Sequence, residues 1–342
     1  MELKRSPLYE EHRKLGANFG EFAGWEMPLS YARPQEGVMA VRTKAGLFDI
    51  SHMGRIIVWG ADPKSLLQKT VSADLERLGM QRSVYTLMIG RDGSIIDDLI
   101  IYKVNQLFFG EVYVLAVNAS NTEKVLNHLK SFKQTDLIID DKTMATAMLA
   151  LQGPEAEDIL KRLADFPTDS IPEKRNDFSV IRWQGISLLI SRAGYTGEDG
   201  FEIILPADRA TELWRQLLVK PIGLVARDIL RMEAGLPLYG HELIKEIPWL
   251  GKTLIGFKVV SGRIARHGYA IIKDGKHVGF VTSGCFSPTL QKSIGIGYIG
   301  SEFAQADQDI EIDIRGIRHR AKVVPLPFYT RLRRGHGEAR GG

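Results

Sequence analysis

Three strand-like runs separated by turn signals dominate residues 83–119. The runs read SVYTLMIG, SIIDDLIIYK and EVYVLAVNA, and β-branched and aromatic residues are frequent in each of them. The sequence RDGS at residues 91–94 is typical of a tight turn between the first two runs. Strands joined by short turns pair antiparallel, so this stretch predicts an antiparallel sheet and not a doubly wound parallel one.

Two aspartates, Asp97 and Asp98, interrupt the second apolar run. Because side chains alternate across a strand, the two carboxylates must face opposite ways. One interpretation places both near the strand start in contact with solvent, where most aspartates lie. The other places one of them inward, with a shifted pKa and a chemical task. The alternation by itself leaves both interpretations open.

Helical patterns lie between the strand-like runs, and the chain beyond residue 254 alternates strands and turns. The helical patterns cover residues 7–16, 61–72, 121–132, 153–166, 208–218 and 224–235. A chain of 342 residues exceeds one ordinary core, so we expect two or three domains. The predicted fold class is α+β with antiparallel sheets and a C-terminal all-β domain.

Composition excludes several classes of function. The formal net charge is +4, and much of the excess lies in residues 330–342, a glycine- and arginine-rich tail that we predict to be disordered. The remainder is nearly balanced, which argues against nucleic-acid binding. No apolar run reaches membrane-spanning length, and the N-terminal residues lack a signal-like apolar core, so we expect a soluble cytoplasmic protein.

Cysteine and histidine usage argues against disulfides and metals. Cys285 is the single cysteine of the sequence, which excludes an internal disulfide and fits a reducing compartment. The eight histidines show none of the spacings of tight metal sites, so we predict no metal. The glycine-rich stretch 194–200, GYTGEDG, lacks the spacing of a phosphate loop and is read as a hairpin turn.

Seven stretches in a fixed order together resemble the T-protein of the glycine cleavage system, the aminomethyltransferase family. They span residues 6–31, 41–54, 93–103, 149–156, 191–203, 223–242 and 282–295. No single stretch is decisive, but the ordered set is specific, and the resemblance extends from Ser6 to Tyr329.

The resemblance implies a three-domain, cloverleaf-like fold with a tetrahydrofolate site near its centre. It implies a discontinuous first domain of residues 1–54 and 142–250, a second domain of residues 55–141, and a C-terminal β domain of residues 254–329. It also implies transfer of a one-carbon unit from the aminomethyl-dihydrolipoyl arm of the H-protein to tetrahydrofolate, with release of ammonia.

The resemblance assigns the second aspartate of the pair, Asp98, as the catalytic acid. It would be the inward carboxylate, and Asp97 the outward one. Glu202 matches a pterin-binding acid and Arg227 a folate contact; by themselves they would be read as a solvated hairpin acid and a surface ion pair. The remaining matches to site positions are Tyr85, Asn118, Tyr195 and Tyr329.

The sequence departs from the family pattern after Glu242, where a long segment is missing or severely shortened. The loss falls at the link to the last domain, near the expected folate site. Three other interpretations stay open: a folate-dependent demethylase, a non-enzymatic folate-binding protein of the same fold, and an inactive structural remnant, which only the missing segment favours. The iron–sulfur assembly relatives of the second kind carry a cysteine where this chain has GLPLYGHE, residues 235–242.

Overall fold

A computed structural model of the chain describes residues 2–106, 110–133, 136–244 and 251–331. Residues 332–342, which make up most of the tail predicted to be disordered, lie outside this part. Among the described residues, no helix is both long enough and apolar enough to cross a membrane.

The described chain alternates short helices with strands until residue 234 and continues with strands. The helices are α1 (Tyr9–Lys14), α2 (Pro34–Thr43), α3 (Pro63–Gln68), α4 (Thr122–Ser131), α5 (Ala156–Lys161), α6 (Ala210–Leu217) and α7 (Leu224–Glu233). The first strands are β1 (Lys4–Arg5), β2 (Asn18–Phe22), β3 (Trp25–Ser30), β4 (Gly46–Asp49), β5 (Gly54–Gly60), β6 (Ser83–Ile89), β7 (Ile95–Gln106), β8 (Gly110–Val117) and β9 (Leu137–Asp141). The remaining strands are β10 (Thr146–Gln152), β11 (Phe178–Trp183), β12 (Ile186–Ser191), β13 (Gly200–Pro206), β14 (Lys252–Val259), β15 (Ala270–Lys273), β16 (Lys276–Ser287), β17 (Lys292–Gly300), β18 (Asp309–Ile314) and β19 (Ile317–Val324).

These strands form three sheets and a closed barrel. A five-stranded sheet has the order β11-β12-β13-β10-β4, and a second has the order β6-β7-β8-β5-β9. A small sheet joins β1, β3 and β2, and the strands beyond residue 251 close a barrel in the order β14-β17-β16-β15-β18-β19. Every pairing of adjacent strands is antiparallel except that of β1 with β3. The predicted α+β class with a C-terminal barrel is confirmed; the predicted domain boundaries stay a prediction.

Strand β7 separates two apolar interiors. Leu99 and Ile101 point into the core of the second five-stranded sheet, which also holds α4. Ile100 and Tyr102 point the other way, into a core shared with the first five-stranded sheet, with α7 and with the barrel. We call this shared core the central interface. By the same alternation Asp98 lies on the central-interface side, and Asp97 lies on the α4 side.

The expectation that Asp97 faces outward is therefore wrong. Its side chain is 0% exposed, and Asp98 is partly buried. Both faces of β7 are covered by packed elements, so neither aspartate can take the solvated position that the simpler interpretation gave it. The opposite orientation of the two carboxylates, which alternation predicted, is what the structure has.

Helix α7 joins the central interface to the barrel through buried charges. Arg231 donates to Glu242 over 2.8 Å and to the barrel residue Ser283 over 2.8 Å. The second carboxylate oxygen of Glu242 accepts a bond from Thr282 of the same barrel strand. Both charged side chains are only 1% exposed, so their pairing satisfies charges that burial would otherwise leave uncompensated.

A second buried charge cluster centres on Glu233, two residues after Arg231. The Glu233 carboxylate accepts two bonds from Arg42 of α2, at 3.0 and 2.7 Å. It also accepts bonds from Ser287 and Thr289 of the barrel, at 2.5 and 2.9 Å. Because Glu233 binds side chains of both α2 and the barrel, α7 fixes the position of the barrel relative to the first sheet.

We expect Glu242→Gln to lower the free energy of unfolding by about 3 kcal/mol, because it removes the buried counter-charge of Arg231 and leaves only the half-exposed Asp228. The matched control is Asp228→Asn, whose carboxylate contacts the same guanidinium over 2.8 Å but is 50% exposed. That control should cost less than about 1 kcal/mol. Urea unfolding followed by circular dichroism measures both, and equal losses would contradict the assignment.

Candidate functional site

Asp98 is held by two donors at the edge of the central interface. The Tyr85 hydroxyl donates to its Oδ2 over 2.9 Å, and the Asn118 side-chain amide donates to its Oδ1 over 2.8 Å. Tyr85 pairs with Ile100 across β6 and β7, so its ring lies on the same face as Asp98, one pair away. Asn118 directly follows β8, the other neighbour of β7. Both strands that flank β7 thus supply a partner for this acid.

The environment of Asp98 favours the protonated form more than water does. Burial raises the pKa of Asp98, and the hydrogen bonds from Tyr85 and Asn118 act in the opposite direction. Tyr85 is 51% exposed, so the site opens to solvent beside the acid. A carboxylate with a raised pKa, two fixed donors and an opening beside it has the properties of a group that exchanges protons with a substrate.

Glu202 lies on the opposite wall of the central interface. It belongs to β13, where Ile204 of the same face packs into that interface and Ile203 packs into the separate core of the first sheet. Its Oε2 atom is buried and has no hydrogen-bond partner among the described residues. Burial raises the pKa of Glu202, while the positive charges of Arg227 and Arg175 lower it.

Arg227 and Tyr195 lie between the two acids. The Arg227 guanidinium lies 4.6 Å from the centre of the Tyr195 ring, in a cation–π contact. The Tyr195 hydroxyl donates to the carbonyl of Pro237. Burial raises the pKa of Tyr195, the nearby Arg231 and Arg227 lower it, and the charge of Asp98 raises it further. Tyr195 is thus close to both Arg227 and Asp98.

Five of the predicted site residues are linked to Asp98 directly or through one another. Tyr85 and Asn118 bond Asp98, Tyr195 is close to it, and Arg227 connects Tyr195 to Glu202. Tyr329 stacks on Arg42, with 4.0 Å between the guanidinium and the ring centre, and its backbone N–H donates to Glu233. This tyrosine thus belongs to the second buried charge cluster, and its assignment to folate stays a prediction.

His52 is a polar residue of the site that sequence reasoning did not select. Its side chain is buried against the ring edge of Phe22, with 5.2 Å between ring centres, and its Nδ1 atom has no partner among the described residues. Burial lowers the pKa of His52 to about 3, and the charge of Arg227 contributes in the same direction. A neutral imidazole with an unpartnered nitrogen near Arg227 adds a second unsatisfied polar atom to that of Glu202.

Asp97 has a structural environment as specific as that of Asp98. Its carboxylate accepts the Asn118 backbone N–H, the Asn118 side-chain amide and the Asn121 side-chain amide, at 2.9, 2.8 and 2.7 Å. Burial raises the pKa of Asp97 to about 7, the three donors oppose the rise, and the charge of Asp98 adds to it. In the sequence, Asn118 and Asn121 lie three residues apart between β8 and α4. That spacing does not identify them as partners of Asp97, because it is equally typical of helix capping.

No group of three or more histidine, cysteine, aspartate or glutamate side chains suited to a metal ion occurs within the described ranges. Cys285 is buried in the barrel wall facing the central interface, and burial raises the pKa of its thiol. A thiol in such surroundings is unreactive.

Comparisons with known proteins agree with this architecture. Residues 8–254 match the family described as the GCVT N-terminal domain, and residues 252–330 match the glycine cleavage T-protein C-terminal barrel domain. An aminomethyltransferase of Geobacillus kaustophilus is 41% identical, over 97% of this chain and 100% of that protein. One from Desulfitobacterium hafniense (strain DSM 10664 / DCB-2) is 40% identical, over 96% and 99%.

A solved structure shares the whole fold. The glycine cleavage system aminomethyltransferase T from Bartonella henselae superposes with a TM-score of 0.87 at 30% identity, covering 96% of this chain and 98% of that one. The alignment with the Geobacillus kaustophilus relative has 371 positions against 342 residues here, so at least 29 positions have no counterpart in this chain. The predicted place of the shortening, after Glu242, adjoins residues 245–250, which lie outside the described residues. From the two family matches and the full-length relatives, the chain belongs to the glycine cleavage T-protein family.

Proposed function

We propose that this aminomethyltransferase transfers its one-carbon unit from the aminomethyl-dihydrolipoyl arm of the lipoylated H-protein to tetrahydrofolate. The carbon–sulfur bond to the arm and the carbon–nitrogen bond to the amino group break. Two carbon–nitrogen bonds to the folate form, and its two displaced hydrogens end on ammonia and on the arm thiol. Neither an oxidant nor a metal takes part in this balance.

One observation carries the proposal. The Oε2 atom of the buried Glu202 carboxylate has no hydrogen-bond partner among the described residues, and Glu202 lies on the same central interface as the hydrogen-bonded Asp98. A buried carboxylate oxygen without a partner costs stability, which supports a ligand that supplies donors. The acid that holds a ligand and the acid that acts on it would then line one site.

The pterin ring suits the groups around Glu202. A pterin offers a ring N–H and an exocyclic amine side by side, and a carboxylate accepts both in a bidentate arrangement. Arg227, whose positive charge already acts on Glu202, is placed to keep that carboxylate ionised and to bond a pterin carbonyl. The unpartnered Nδ1 of His52 offers one further polar contact near Arg227.

Asp98 would act on the nitrogen that receives the carbon. Two of its lone-pair sites are already used by Tyr85 and Asn118, which fix the plane of the carboxyl group and leave the others free. A fixed carboxylate beside the nitrogen orients it, accepts its proton and stabilises positive charge that develops during carbon transfer. Because Tyr85 is half exposed, the donor arm can reach this acid from solvent.

We expect Asp98→Asn to lower the rate of methylene-tetrahydrofolate formation about 100-fold or more, because it removes the proton acceptor. Affinity for tetrahydrofolate should change little, since Asp98 does not hold the pterin in this proposal. The assay uses tetrahydrofolate and aminomethyl-loaded H-protein. Asp274→Asn is the matched control, with a side chain that is 81% exposed on the barrel. Full turnover in Asp98→Asn would contradict the assignment of the catalytic acid.

We expect Glu202→Gln to weaken tetrahydrofolate binding about 10- to 100-fold, because it removes a charged hydrogen-bond acceptor from the pterin. Isothermal titration calorimetry under reducing conditions measures the dissociation constant. Glu76→Gln serves as control, since the Glu76 side chain is 70% exposed in the second domain. Unchanged binding in Glu202→Gln would place the pterin elsewhere.

We expect Tyr85→Phe to move the acidic limb of the pH–rate profile to higher pH. The Tyr85 hydroxyl bonds the ionised form of Asp98, so its loss raises the pKa of that carboxyl group further. The carboxylate would then be protonated, and inactive as a base, up to a higher pH. Tyr113→Phe, which removes a hydroxyl bonded to Glu111 instead, should leave the limb in place. A limb unmoved by Tyr85→Phe would show that the hydroxyl does not tune Asp98.

A further inference from the structure

The side chain of Asn118 bridges the two aspartates across β7. Its amide nitrogen lies 2.8 Å from Asp97 Oδ1, 2.8 Å from Asp98 Oδ1 and 3.0 Å from the Asp98 carbonyl oxygen. All three atoms are acceptors, so the amide must present its nitrogen to them and its oxygen elsewhere. The position of the donor that holds Asp98 is therefore set in part by Asp97.

Asp97 also fixes Asn118 through the main chain. Its second oxygen accepts the Asn118 backbone N–H over 2.9 Å, so both the backbone and the side chain of Asn118 are bound by one carboxylate. Because the Asp97 side chain is 0% exposed, water cannot replace these bonds.

A third donor completes the environment of Asp97 and has a fixed direction. The Asn121 amide nitrogen lies 2.7 Å from Asp97 Oδ1, while the Asn121 amide oxygen accepts a bond from Lys124 over 3.0 Å. The lysine thus prevents the Asn121 amide from turning over and presenting its oxygen to position 97. Lys124 thus donates to Asn121, Asn121 donates to Asp97, and Asn118 donates to both aspartates.

We propose that Asp97 is a positioning residue for the transfer reaction: from the far side of β7 it sets the orientation in which Asn118 holds the catalytic carboxylate of Asp98. The inference rests on the proposed function, since it gives Asp98 the chemical step. It assigns Asp97 no contact with substrate and no proton transfer.

The variant Asp97→Asn tests this proposal with little change in size. The introduced amide has one acceptor oxygen for three donors, and its own nitrogen faces the nitrogen of Asn121 or of Asn118. Asn121 cannot turn to relieve this clash while Lys124 binds its oxygen. We expect kcat to fall about 10- to 100-fold, the loss typical of a catalytic group displaced by about 1 Å. The dissociation constant of tetrahydrofolate should change by less than about threefold, since the pterin lies at Glu202.

A double variant reverses the polarity of the pair. In Asp97→Asn/Asn121→Asp, the introduced carboxylate at position 121 accepts from Lys124 and from the introduced amide at position 97. The oxygen of that amide then accepts the Asn118 backbone N–H, while its nitrogen, in the place of Asp97 Oδ1, faces the Asn118 side-chain amide. We expect the double variant to regain melting temperature but not kcat, because the side chain that holds Asp98 still lacks its acceptor at position 97. Asn121→Asp alone places two carboxylates together and should lower the melting temperature.

Three results would overturn the proposal. The first is a full kcat in Asp97→Asn. The second is a loss in which kcat, folate affinity and melting temperature fall together, which is the mark of a merely structural residue. The third is a double variant that regains kcat, because Asn118 would then hold Asp98 without its side-chain bond to position 97. If Asp97→Asn does not fold, Lys124→Met on the exposed side of the chain of bonds provides the test, with an expected severalfold fall in kcat at unchanged folate affinity.

Asp98→Asn, measured in parallel, separates this inference from the proposed function. Turnover retained in Asp98→Asn contradicts the catalytic assignment itself. Turnover lost in Asp98→Asn but retained in Asp97→Asn contradicts only the positioning role.

Discussion

The architecture depends on buried charges along one helix, α7. Arg231 is paired with Glu242 and with the barrel, and Glu233 is bound by Arg42 and by the barrel, so the last turn of the helix holds the C-terminal barrel against the first sheet. Arg227, one turn before Arg231, projects into the site from the same helix. Burying these charges is costly unless each one is paired. That requirement allows few arrangements of the first sheet and the barrel.

The site lies where the two five-stranded sheets meet, and neither sheet alone supplies all of its residues. Asp98 and its two partners come from three adjacent strands of the second sheet and their ends, and Glu202 comes from the first sheet. Burial at the interface raises the pKa of both acids by withdrawing them from water. The difference between them is their partners: Asp98 has two donors, whereas Glu202 keeps an oxygen without one. The first arrangement suits proton exchange, and the second suits ligand binding.

The pair of aspartates illustrates how two chemically equal residues acquire different roles. Alternation places them on opposite faces of β7, and the faces belong to different interiors. Asp98 meets the opening beside Tyr85, while Asp97 meets the amides at the start of α4. Under the catalytic role proposed for Asp98 and the positioning role inferred for Asp97, the second five-stranded sheet would hold the catalytic acid from both sides of one strand.

Local sequence patterns predicted the antiparallel strands, the C-terminal all-β domain and the opposite orientation of Asp97 and Asp98, and the ordered motifs predicted the family by resemblance. Neither kind of signal needs knowledge of distant contacts. Distant contacts set the burial of Asp97, the position of His52 near Arg227 and the stacking of Tyr329 on Arg42, and they leave Glu202 Oε2 without a partner among the described residues. The physical reason is that burial and pairing are set by elements far apart in the chain: α4 covers Asp97, and β13, α7 and the barrel enclose the central interface.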